Sequence, residues 1–479
     1  MKVSNVAAQP DRRAAVAGPG EALTQELGSF VARLPGASVP DELITEVKLH
    51  ILDTLGCQIA FADLPWSRDV ARYARACAGG GRATVVRSRR GATAQVAAMV
   101  NASFAHGFEM DDTHLVTTVH PGAVVVPAAL AVGQALGASG RSVIAAVIAG
   151  YETMIRVALG ATGMMDRGLH ATALAGPFGA AAAVSVLEGL DAGRAAHALG
   201  IAASRASGIA EYTLSGGSVK RAHAGFAAQA GIESAWLARE GITAPARALE
   251  GGKGLLRAVS DHPDPPAVTE DLGHRFHLLG TGLKPYCCCA GQHTVIDAVT
   301  ALKARIPGLG VAEIEAVHVY QNPREVAVVG GPAEPVDVTS AQFSAPFGIA
   351  LQLLRGGNGY RDYRDVRFDD PALLGIARKV VYHALDGADR MTGEAPCRVE
   401  IVTRSGDVLR EAVRYPRGSV RRPMTSGEVR AKFMSLCEGV LPAGRARALA
   451  DMVLNLDAVA DVSELASRLA IDGDQDCES

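Results

Sequence analysis

Through most of the first 275 positions, apolar residues recur at helical spacing. Leu43, Val47, Ile51, Leu55 and Ile59 fall at four-residue steps behind Pro40, Asp41 and Glu42, a start signal for a helix. The stretch 93–109 reads as another, with Val96, Val100 and Phe104 along one stripe. Further helices are predicted over 123–131, 141–158, 171–187, 192–203, 222–240 and 252–259, most of them built of alanine and glycine that let helices approach closely. Residues 21–275 thus read as an all-helical domain. The pattern changes near 276. HLLGTGLKPYCC is extended in type, IEAVHVYQ (314–321) alternates, and CRVEIVTRSGDVLREAVRYP (397–416) reads as two strands around a Ser-Gly-Asp turn. Helical patches at 292–304 and 344–354 lie between, so 276–422 is predicted to be an α+β domain. Helical pattern returns at 425–437, 443–454 and 463–469, and 423–470 is expected to pack back on the first domain.

A chain of 479 residues suits two domains. Hydrophobic residues make up 48% and charged residues 20%, which favours well-buried cores. The net charge of −3, with both signs mixed, offers no basic surface for nucleic acid. Residues 1–20 mix charge, proline and glycine without an apolar run and read as a disordered tail, not a signal peptide. The apolar stretch 171–186 contains Pro177 and is mostly Ala and Gly, which makes it a buried helix and not a membrane span. Eight cysteines (57, 77, 287, 288, 289, 397, 437 and 477) are too sparse for a disulfide framework, so a reducing cytoplasm is expected. Neighbours in an extended segment point to opposite faces, so Cys287, Cys288 and Cys289 cannot converge on one ion. No metal is expected.

Four segments carry candidate chemistry. HGFEMDDTH (106–114), followed by His120, crowds acids and histidines between two apolar helices. Glu109, Asp112 and Thr113 would share a face at helical spacing. His106 and His114 stand two turns apart, unlike the one-turn spacing of zinc-binding helices. His170 precedes a small-residue helix and could point into a cavity at its start, although a lone histidine there is more often a cap or core residue. In SGGSVKRAHAGFAAQAG (215–231), free amides with Lys220 and Arg221 make a workable carboxylate cradle without the spacing of a nucleotide loop. Finally, GLKPYCCCAGQHTVIDAV (282–299) offers Lys284 and His293; read alone, that lysine belongs to the surface.

These segments, together with LDTLGCQIA (52–60), EMDDTH…HPGAVVVPAAL (109–130), RGLHATALAGPFGAAAA (167–183) and AQFSAPFGIALQLL (341–354), resemble the MmgE/PrpD family. The resemblance runs in order from about residue 21 to 470. It implies a mainly α fold: a large all-helical domain with a smaller α+β lid domain inserted before the C-terminal helices, and an active site in the cleft between them. It also implies a homodimer and chemistry without metal or cofactor. The family includes 2-methylcitrate dehydratase, cis-aconitate decarboxylase and iminodisuccinate epimerase. Carried across, its acid/base histidines fall on His120 and His170, and its charge-stabilising lysines on Lys220 and Lys284. Glu109 takes the place of an aspartate. Asp112, Thr113, Arg221, His293 and Phe347 become substrate contacts. Phe347 stands where animal decarboxylases carry a tyrosine, and Cys289 near a lid histidine of theirs; the Glu-Met-Asp-Asp spacing is closer to fungal aconitate decarboxylases. The leading expectation is a lyase acting beside the carboxylates of a small acid, by dehydration of a 2-methylcitrate-like hydroxy acid. Decarboxylation of cis-aconitate and epimerisation of an aminodicarboxylate are the alternatives. A catalytically silent, carboxylate-binding dimer is the reading of another class, and the intact set of two histidines and two lysines argues against it.

Overall fold

A computed structural model describes residues 22–470, except 78, 307–309, 332 and 386–395; the predicted tail and Cys477 lie outside the described residues. The helix Asp41–Phe61 begins behind Pro40, and every residue from Leu49 to Phe61 is buried. Ala171–Leu187, Ala192–Ala203, Ala443–Leu454 and Ser463–Leu469 are helices with the expected bounds. Close approach is real. A Cβ added at Gly231, on the helix Val219–Arg239, would lie 2.5 Å from the Pro177 carbonyl of Ala171–Leu187. Only glycine admits that crossing. Periodicity missed two further helices, Leu23–Arg33 and Pro65–Cys77.

The helix expected to run through 109 spans Ala94–Ala105 and ends at His106. From there the chain is irregular up to a two-residue strand, Thr113–His114, which pairs antiparallel with Thr281–Gly282. The second region holds a four-stranded sheet in the order Val380–Ala384, Ile314–Gln321, Cys397–Thr403, Val408–Val413. The first pair is parallel and the other two antiparallel. Val380–Ala384 is a half-exposed edge strand, which is why alternation did not reveal it. The helix His293–Arg305 packs on this sheet, and Ala345–Arg355 packs on that helix.

Two hydrophobic cores result. The larger joins the first-region helices to Val429, Phe433, Leu449 and Leu465 near the C-terminus. The smaller gathers Val317, Val399, Ile349 and Phe347 with Phe61 and Phe108 of the first region. One helix, Gly140–Gly160, is long and apolar enough to cross a membrane, and 89% of its apolar window is covered by protein, so its hydrophobicity is spent in the core. All seven described cysteines are unpaired.

The returning helix Ser426–Cys437 is fixed by a buried ion pair, Lys432 Nζ to Asp53 Oδ1 at 2.5 Å, and the same ammonium donates to Met110 O at 2.8 Å. Breaking one side of such a pair leaves an uncompensated buried charge. Lys432→Ala is therefore expected to cost roughly 3–5 kcal/mol, read as a lowered urea midpoint; an unchanged midpoint would show that the contact does not fasten the helix.

Candidate active site

The segment 106–114 is the hub. Its peptide carbonyls are taken, one after another, by side chains from distant parts of the chain. Gly107 O accepts from Trp66 Nε1 (3.1 Å), and Phe108 O from Gln342 Nε2 (3.0 Å) and the Cys287 thiol (3.0 Å). Glu109 O accepts from Lys284 Nζ (3.4 Å), Met110 O from Lys432, and Asp112 O from His120 Nδ1 (2.7 Å). Held this way, Glu109 adopts φ +54°, a left-handed conformation that non-glycine residues enter at a cost.

That conformation aims the Glu109 carboxylate at three cations. Lys220 Nζ is in direct contact, Arg221 donates at 3.1 Å and Lys284 lies at 3.5 Å, all of them buried. Lys220 and Arg221 open the helix Val219–Arg239, while Lys284 follows the strand at 281–282. Arg221 also lies over the Trp66 ring. Burial, then repulsion from Arg221 and Lys284, pushes the Lys220 ammonium well below its usual range; the touching carboxylate pulls the other way.

Beside the cations stand three buried imidazoles. The His106 ring lies 5.0 Å from that of His120 and 5.8 Å from that of His170. Each has its Nδ1 committed. His106 Nδ1 bonds Asp111 Oδ2 at 2.7 Å, His120 Nδ1 bonds Asp112 O, and His170 Nδ1 meets His223 Nδ1 at 2.9 Å. Carbonyl and carboxylate oxygens only accept, so His106 and His120 carry their protons on Nδ1 and keep Nε2 as a lone pair. Asp111 also lies 3.2 Å from His120 Nδ1. Burial works against its charge, but His120 and His106 hold its carboxyl well below the usual range. His106, Asp111 and His120 have the spacing of a metal cluster. Asp111 already accepts from His106 Nδ1, and both rings keep Nε2 as the nitrogen left to bind.

The expected site residues thus separate. Glu109, His120, His170, Lys220, Arg221 and Lys284 come together in one buried cluster. Thr113 Oγ1 sits 3.2 Å from His120 Nδ1 and steadies that ring. Asp112, expected at the substrate, is a scaffold: its carboxylate is used by His50 (2.8 Å), Tyr151 (2.7 Å) and the Gly122 amide (2.9 Å). Phe347 is fully buried in the smaller core against Phe368, and His293 is buried with Nε2 at 3.3 Å from Cys288 O. Asp111, His106 and His223 were missed. Helical spacing from 109 favoured Asp112; in an irregular segment adjacent side chains diverge, and Asp111 is the one turned toward the histidines.

Burial holds His106, His114 and His293 at about 3, far below the 6.5 of a free imidazole. Between those values the unfolded chain takes up protons that the folded one refuses, so stability falls as pH drops below 6.5. Each histidine contributes about 1.4 kcal/mol per pH unit, partly opposed by the raised carboxyls of Asp53 and Glu152. Urea unfolding should show a steep loss between pH 6 and 4; a flat profile would contradict the buried neutral histidines.

Comparison with known proteins agrees with this two-part arrangement. The MmgE/PrpD N-terminal domain matches residues 25–267, and the MmgE/PrpD C-terminal domain matches residues 286–458. A cis-aconitate decarboxylase of Aspergillus terreus is 29% identical over 473 residues, covering 92% of this chain and 95% of that protein. The cis-aconitate decarboxylases of mouse and human are each 24% identical, over 93% and 94% of this chain and 93% and 95% of their own. With both family domains matched in order over most of its length, the chain belongs to the MmgE/PrpD family.

Proposed function

We propose that the chain is a carboxy-lyase that removes carbon dioxide from a small unsaturated tricarboxylate, cis-aconitate or a close analogue. The observation that carries this reading is the convergence of Lys220, Arg221 and Lys284 on one carboxylate beside three buried imidazoles. The decarboxylase relatives, which align over nearly the whole chain, support it. They move the weight from the dehydration expected at first to the alternative.

The chemistry sets clear demands. When the bond to the departing carboxylate breaks, its electron pair stays on the carbon skeleton and must be captured by a proton. Each turnover therefore consumes one proton, delivered to carbon. The charge developing along the skeleton spreads onto a carboxylate, and fixed cations in a buried site stabilise it most. Lys220, Arg221 and Lys284 fill that role once a substrate carboxylate takes the place of the Glu109 side chain among them. In this reading His170 donates the proton, because its Nδ1 partner is another imidazole and its Nε2 can bear hydrogen while the ring stays neutral. Each role falls to a side chain, and the proposal calls on no cofactor; the expected homodimer belongs to it as well.

A second reading keeps a specific observation on its side. His120 is locked with its Nε2 lone pair available, and abstraction of a proton beside a carboxylate, the first step of dehydration, needs such a base. Turnover in heavy water separates the two. Decarboxylation of cis-aconitate should release one carbon dioxide and leave one carbon-bound deuterium in a five-carbon product. Loss of water from a 2-methylcitrate-like acid without carbon dioxide would instead establish the dehydratase.

His170→Ala and Lys220→Ala are each expected to lower kcat/KM at least about a hundredfold, the low end for losing an acid or a charge-stabilising group. Steady-state rates on the accepted substrate check this, and near-wild-type values in both would remove the site assignment.

A further inference from the structure

On the side of His170 away from His106 stands His223, on the same helix face as Lys220 and one turn later. It lies outside the cation cluster, and the resemblance assigns it no role. Its Nδ1 is 2.9 Å from His170 Nδ1, and Tyr212 packs edge-on against both rings. Two Nδ1 atoms at that distance share one hydrogen, so one ring donates and the other accepts. His223 also lines a second cavity of about 290 Å³ with Arg205, Ser207, Gly208 and Phe226. Ile209 and Phe226 at its edge are exposed, at 62% and 51%, so solvent reaches the cavity. Among the described residues His223 Nε2 has no protein hydrogen bond. The ring therefore stands between the buried His170 and a solvent-reached cavity.

We propose that His223 is a positioning residue for the reaction: its Nδ1–H selects the tautomer of His170 that presents Nε2–H to the substrate carbon, and a proton lent by cavity water through His223 keeps both rings neutral as His170 gives up its own. The inference rests on the reading in which His170 is the donor. When His170 Nε2 gives its proton to carbon, the His223 Nδ1 proton crosses to His170 Nδ1, and cavity water protonates His223 Nε2. Both rings stay neutral, as their burial favours. After product leaves, water entering the cleft returns a proton to His170 Nε2, the shared hydrogen moves back to His223, and the cavity recovers its own. The net change is one proton taken from water per carbon dioxide lost. His106 and His120 cannot do this, since oxygen acceptors fix their tautomers.

The test uses partners of opposite hydrogen-bonding sense at position 223 in the full-length enzyme, with ¹⁵N-histidine spectra and kinetics read together. His223→Gln can still donate but cannot hand on a proton; it should keep the Nε2–H form of His170 while kcat falls at least about a hundredfold, as for a lost acid. His223→Glu can only accept; it should switch His170 to Nδ1–H and lower kcat at least about a hundredfold, as for a lost acid. If the glutamate variant does not fold, His223→Leu takes its place, with no donor and the same fall in rate. A His170 tautomer indifferent to residue 223, or a glutamine variant with wild-type kcat, would overturn the proposal. A tautomer that follows residue 223 in a protein inactive on every tricarboxylate would sink the functional reading and leave this one standing.

Discussion

A single carboxylate, that of Glu109, keeps three buried cations in one place. Lys220, Arg221 and Lys284 would repel one another in a dry pocket, and Glu109 is the anion that reconciles them. Its own backbone is held in a conformation that would relax if left free. The restraint is distributed: Trp66, Cys287, Gln342, Lys284 and Lys432 each grip a carbonyl between Gly107 and Met110. Those residues come from both cores and from the C-terminal helices. The site is thus tensioned from all sides, and local strain persists because the surroundings over-determine it.

The imidazoles divide by what sits behind them. An oxygen behind Nδ1 fixes a proton in place and makes a permanent base of the other nitrogen; a nitrogen behind Nδ1 leaves the choice open. His106 and His120 are of the first kind, His170 of the second. One pocket therefore holds both a dedicated acceptor and a reversible donor. A family that hosts several reactions beside carboxylates would need little more than a change in which of them faces the substrate.

Much of this was legible in the sequence, and the gaps have physical causes. Long apolar periodicity located the interior helices, and alternation found Ile314–Gln321, because burial on one face leaves a regular trace. The edge strand Val380–Ala384 leaves none, being half-exposed on both sides. Lys220 and Arg221 read as a carboxylate cradle from the residues alone, whereas Lys284 was legible only through family resemblance, since alone it looks like an ordinary surface cation. Asp111 was hidden by an assumption of helix beyond Ala105, where the chain turns irregular and side-chain directions stop following a 3.6-residue period. His223 carries no local signal: its meaning depends on which ring stands behind it in space.

The order of the chain around the two cores has a consequence during synthesis. Leu449, Val453 and Leu465 belong to the same core as Leu27 and Leu55. Most of the helical region leaves the ribosome early, yet its surface lacks its covering until the last helices emerge. Lys432, which neutralises Asp53, also arrives late. The nascent helical region must wait, with an apolar flank and a buried-type acid uncovered, while the whole sheet region is made. Its final closure and the docking of Lys432 on Asp53 and Met110 then become one event.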